Sequence, residues 1–119
     1  MSAAEPDRTA GRRSPAERTA VDELVTAARS QLGGELRDVR LFGSRARGEG
    51  DADSDVDVAL VVSAAGRARR YEIYDLAFDI GLQHGVNLAP LVIEDAVLAD
   101  LHRRERRLAL DLEREGIPL

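Results

Sequence analysis

The segment from Leu41 to Val62, LFGSRARGEGDADSDVDVALVV, restricts the possible folds more than any other part of the chain. An apolar run ends in Gly43-Ser44, ten residues intervene, and Asp55-Val56-Asp57 then opens a second run, Val58-Ala59-Leu60-Val61-Val62. So short a connection makes the two runs a hairpin-like pair of strands. The Gly-Ser turn and the two aspartates are therefore expected at the same end of the sheet. Side chains at i and i+2 of a strand share a face, so Asp55 and Asp57 point the same way while Val56 enters the packing. Carboxylates held that close repel, and a divalent cation is the usual relief. The hard, oxygen-seeking Mg²⁺ suits a carboxylate pair that also receives phosphate oxygens. Gly43 lets the backbone approach a ligand, and Ser44 offers its amide and hydroxyl to phosphate.

Gly43-Ser44, ten residues, then Asp55-Val56-Asp57 resembles the signature of the polymerase-beta-type nucleotidyltransferases, in particular the minimal nucleotidyltransferases (MNT). Arg45-Ala46-Arg47-Gly48 and Ser54 also match that family's pattern, and the resemblance runs from about Val39 to the C-terminus. It implies a Gly-Ser turn that holds a nucleoside triphosphate, paired aspartates that bind Mg²⁺, and often a third carboxylate on a later strand. Minimal members often act as antitoxins beside a HEPN-domain toxin, which they bind and modify with AMP on tyrosine.

The 119 residues make one domain, long enough to bury roughly two-thirds of the surface of the unfolded chain. With no cysteine there are no disulfides, thiolate metal sites or thiol catalysis. No stretch approaches the roughly 20 apolar residues of a membrane span, and the N-terminus lacks a signal-type apolar region, so a cytoplasmic protein without membrane contact is expected. The net charge of −5 argues against general affinity for nucleic acid. All 17 basic residues are arginine, which removes Schiff-base chemistry and a P-loop lysine.

Residues 1–17 mix Pro, Gly, Ser, Ala and charge without periodicity and read as a disordered leader, with the folded domain at 18–119. Thr19 or Ser14 can cap a helix that carries Val21, Leu24, Val25, Ala28 and Leu32 at spacings of three and four and stops at Gly33-Gly34. A half-buried strand from Leu36 to Phe42 follows. A helix from Arg67 to His84 carries one apolar stripe of Tyr71, Tyr74, Phe78 and Leu82 and another of Ile73, Leu76, Ala77 and Ile80. Two stripes are more than a small sheet needs, so the helix is either deeply buried or also an interface, with a homodimer or hetero-oligomer as the alternatives. The third strand, Val86 to Ile93, contains Pro90, which favours an edge or a bulge. The intervening helix makes it parallel to the second strand by a right-handed crossover. Its start then lies beside the aspartate pair, where the resembled family often places its third carboxylate; here Asn87 stands there. Asp79 and Glu94 are the possible substitutes. A final helical segment begins at Glu94-Asp95, and the run His102 to Arg107 reads as a solvated bend or an anion- or partner-binding patch.

Other motifs fail on particular residues. Asp51, Asp53 and Asp55 imitate the start of a calcium loop, but Val56 and Val62 occupy the positions that need Gly and Glu. Gly43, Gly48 and Gly50 have the wrong spacing for a dinucleotide fingerprint. The expectation is an α/β domain with a small mixed sheet flanked by helices, similar to the nucleotidyltransferase fold. The resemblance implies AMP transfer from ATP to an acceptor hydroxyl, with Asp55 and Asp57 as catalytic metal ligands. Gly43, Ser44, Arg45, Arg47 and Ser54 would bind nucleotide, and Asn87 would occupy the third-ligand position. No second domain is expected to hold a small acceptor, so a partner, a HEPN-type toxin, would present it. The alternative is an antitoxin or regulatory subunit that binds without catalysis.

Overall fold

The computed structural model describes residues 14–43 and 55–119. Ser14 accepts a hydrogen bond from the Glu17 amide, while the Glu17 side chain accepts one from the Ser14 amide, which closes a capping box around Pro15. This fixes the start of α1 (Pro15–Leu32), so residues 15–17 are helical rather than part of the leader in which their composition placed them. A single 3₁₀ turn, Gly33–Glu35, leads into β1 (Leu36–Phe42), which pairs antiparallel with β2 (Val56–Val62).

The chain then turns sooner into helix than its periodicity indicates. The Ser63 hydroxyl accepts from the Gly66 amide and starts α2 (Ala64–Ala68) directly after β2. At Arg69 the ladder is interrupted, and α3 (Arg70–His84) begins, so the expected helix from Arg67 is two helices. Gly85, at φ 67°, caps α3 in the left-handed region. The Val86 amide returns to the Gly81 carbonyl at 2.9 Å, and β3 (Leu88–Glu94) therefore starts two residues later than Val86. The last segment is divided into α4 (Asp95–Arg103) and α5 (Arg107–Glu115), with Glu105 at φ 54° in the bend, and ends in the short β4 (Ile117–Pro118).

The strands lie in the order β3-β2-β1-β4, with β2 and β3 parallel and the other two pairs antiparallel. This is the small mixed sheet flanked by helices, and Pro90 sits on its edge strand as its missing N–H requires. One face of the sheet, Val39, Leu41, Val56, Val58, Leu60 and Val62, is buried with Val21, Leu24 and Ala28 of α1 and Ile73, Ala77 and Ile80 of α3. The opposite face carries Asp57, Ala59 and Val61 on β2, and there Leu98 of α4 and Ala109 and Leu112 of α5 meet Ala59 and Val61. No helix among the described residues is long and apolar enough to cross a membrane.

Leu60, fully buried in the central strand, and Leu82, exposed on α3, give opposite expectations for one substitution. Leu60→Ala should lower the unfolding free energy by about 2–5 kcal/mol in urea titrations. Leu82→Ala should change it by less than about 0.5 kcal/mol.

Candidate active site

The antiparallel register sets Phe42 opposite Asp57, so the residue that ends β1 lies against the start of β2. Gly43, the residue that follows β1, has φ 77°, and a side chain on it would collide with the Asp57 carboxylate. Only glycine satisfies both the backbone angle and the close approach. Asp55 precedes β2, Val56 between the two aspartates is fully buried, and alternation turns both carboxylates to one face.

On the other side of β2, the Val56 amide donates to the Asn87 carbonyl at 2.8 Å, which fixes Asn87 beside Asp55. Ala89, not Asn87, is the residue opposite Asp57. Asp55 and Asn87 line a cleft of about 450 Å³ whose other walls are Ala77, Phe78, Gly81 and Leu82 of α3, with Gly85, Val86, Leu88 and Ala89. The floor depends on Gly81, where an added Cβ would stand 2.6 Å from the Val86 carbonyl oxygen.

The Asp57 carboxyl is raised above the usual carboxylate range, first by its burial and then by the negative charge of Asp55. A bound cation would counter both causes, and a pair of carboxylates is the hard oxygen donor set that a divalent ion takes. The residues thus fit a metal, although no group of three His, Cys, Asp or Glu residues among those described is placed to hold one. Neither substitute carboxylate makes good the difference. Glu94 pairs with Val62 at the far end of β2, about 20 Å along the strand at 3.3 Å per residue. Asp79 is on the exposed side of α3 and does not line the cleft.

Gly43, Asp55, Asp57 and Asn87 are therefore assembled at one end of the sheet, and Ser44, Arg45, Arg47 and Ser54 lie outside the described residues. The two histidines are elsewhere: His84 meets Glu23 across α3 and α1, and His102 meets Glu113 across α4 and α5. Phe78, Leu82 and Gly81 escaped the reading of the sequence as site residues. Their helical spacing signals only an apolar face, and nothing local shows which part of it borders the aspartates.

Residues 21–110 match the nucleotidyltransferase domain family. The chain belongs to that family. No curated protein matches it in sequence. Among solved structures, a protein designated a minimal nucleotidyltransferase is 26% identical with a TM-score of 0.53, over 86% of this chain and 91% of that one. A Sulfolobus solfataricus nucleotidyltransferase is 18% identical with a TM-score of 0.52, over 84% of this chain and 76% of the other. Both designations are assignments rather than demonstrated activities, and the second likeness is one of fold.

The raised Asp57 carboxyl gives the nucleotidyltransferase domain a definite pH dependence. An acid whose folded pKa exceeds its unfolded value, near 3.9, is neutral in both states at low pH and costs stability as pH rises through the folded value. Asp57→Asn removes that cost. Thermal melts from pH 3 to 7 should show the variant gaining on the parent as pH rises above about 4. A constant difference across the range would contradict the assigned shift.

Proposed function

We propose that the protein transfers AMP from ATP to the hydroxyl of a tyrosine on a partner protein, a HEPN-type toxin, and so acts as an antitoxin. The observation that carries this reading is the seating of the Asp57 carboxylate on Gly43, with Asp55 on the same face, within a nucleotidyltransferase domain.

In this reading Asp55 and Asp57 hold Mg²⁺. When bound, the ion neutralises charge on the triphosphate and orients the α-phosphorus. The backbone at Gly43 and Ser44 binds the β- and γ-phosphates and so retains the leaving pyrophosphate. Arg45 and Arg47 add charge-assisted bonds to phosphate, and Ser54 completes the nucleotide contacts. The acceptor hydroxyl attacks in line on the α-phosphorus and gives up its proton, which the Asn87 amide has no means to take. A tyrosine acceptor eases that demand, since its pKa near 10 lies well below that of a sugar hydroxyl.

Asn87, with no third carboxylate beside it among the described residues, favours a second reading in which the domain binds and neutralises its partner without catalysis. The two separate on AMP transfer from labelled ATP to the partner, measured side by side for the parent, Asp57→Asn and Asn87→Asp. The enzyme reading expects slow transfer by the parent, a loss of about a hundredfold or more in Asp57→Asn, and faster transfer with the added carboxylate. No product from the parent, with neutralisation unaffected by Asp57→Asn, establishes the binding-only reading instead.

A further inference from the structure

We infer that a second copy of this chain docks on the exposed face of α3, the two helices running antiparallel about a two-fold axis, so that Phe78 and Leu82 of each copy enter the cleft between α3 and β3 of the other. The inference is independent of the reaction proposed above.

Three of the four exposed large hydrophobic residues among the described ones, Tyr71, Phe78 and Leu82, are on α3, at 64%, 66% and 68% exposure. Their spacing of seven and four places them on one face of the helix. The helix needs none of them for its own packing, because Ile73, Ala77 and Ile80 supply the face that meets the core. Beside this ridge runs a hole. The small residues Ala77, Gly81 and Gly85, each four apart, form one wall of the cleft of about 450 Å³, and the start of β3 from Val86 to Ala89 forms the other.

A ridge and a hole on one surface favour a second copy as the occupant. In a two-fold contact residue i of one copy meets j of the other and j meets i, so a single docking inserts both ridges and fills both clefts. Any other partner would have to bring its own ridge and its own hole at the same spacing.

The charges select the direction. Arg70 stacks over the Tyr71 ring at 4.6 Å and donates to the Arg67 carbonyl at 3.2 Å, and no carboxylate among the described residues pairs with either arginine. Arg70 is seven residues before Ala77 and so lies on the cleft side of α3. A two-fold axis that reverses the helix keeps each flank on its own side, so Arg70 of one copy meets the carbonyl end of the other copy's α3, beside a cleft lined by no cationic side chain. The helix dipole is negative there, and the two dipoles oppose each other. A parallel pair would align the dipoles and bring arginine to arginine. Asp75 and Asp79 are exposed on the flank away from the cleft, and a contact centred on the cleft side leaves them in water rather than against their own copies. A contact of one helix and one cleft per copy is at the small end of interface sizes, below about 1,200 Å² in total, so the association is reversible. It also closes the cleft, so pairing and access to Asn87 from the β3 side exclude one another.

Sedimentation velocity of the full-length chain from about 10 µM to about 1 mM should show the mass rising towards that of a dimer. Phe78→Glu and Leu82→Glu, at exposed positions that leave the core intact, should each weaken the association at least about tenfold. Arg70→Glu should weaken it several-fold, and Asp79→Asn, on the outer flank, should leave it unchanged. The chain has no cysteine, so a nitroxide on Ala68→Cys labels one place only. Mixed with unlabelled ¹⁵N protein, it should broaden the amides from Gly81 to Gly85 in the other copy. Broadening of Tyr71 and Glu72 instead reports parallel pairing, and weakening by Asp79→Asn reports a contact on the other flank; either result overturns the inference, as does a dimer that Phe78→Glu and Leu82→Glu leave untouched. A chain that stays monomeric throughout leaves the face to a partner of different sequence and overturns it as well.

Discussion

The site depends on one close approach, that of the Asp57 carboxylate to the backbone of Gly43. The antiparallel pairing of β1 with β2 sets Phe42 against Asp57, and a slip of one residue would turn both aspartates into the apolar layer beneath α1 and α3. That slip is prevented from below. Val56, Val58, Leu60 and Val62 are fully buried on the face opposite the carboxylates, so the core that stabilises the fold also fixes the direction of Asp55 and Asp57. The charged pair is thus held close by packing that has no electrostatic component. Burial, and after it the repulsion from Asp55, remains as the raised Asp57 carboxyl.

Much of this arrangement is legible in the sequence. The Gly-Ser turn, the length of the connection and the alternating aspartates locate two strands and their shared end, and β1 is found at Leu36–Phe42 as its pattern indicates. The helix after β2 gives the parallel β2–β3 pairing, and Pro90 gives the edge position. Other features depend on interactions that no local pattern expresses. The start of α1 at Pro15 comes from the Ser14–Glu17 capping box, in a stretch whose composition suggests a leader. The late start of β3 reflects the return of the Val86 amide to Gly81. The exclusion of Glu94 required the register, which carries it to the far end of β3 opposite Val62.

The helix α3 shows the limit most clearly. Its two apolar stripes are visible in the sequence, but their division of labour is not. Ile73, Ala77 and Ile80 are buried in the core, whereas Tyr71, Phe78 and Leu82 are exposed. Periodicity reports amphipathic character relative to the helix axis alone. Only the packing of α3 beside β3, with Gly81 against the Val86 carbonyl, shows that the exposed stripe ends at the cleft beside Asp55. An apolar surface that is surplus to the core thereby becomes part of the candidate site.

The central proposal is that Asp55 and Asp57, the latter held against Gly43, bind a divalent cation. Paramagnetic broadening by Mn²⁺, titrated into the labelled protein in place of Mg²⁺, tests this without reference to any reaction. The account predicts selective loss of the amide signals of Gly43, Asp55, Val56 and Asp57, with Asn87 next in order. Signals near the His102–Glu113 contact should survive, and the selective loss should be absent in the Asp55→Asn, Asp57→Asn double variant. Broadening centred elsewhere, or undiminished in the double variant, would contradict it.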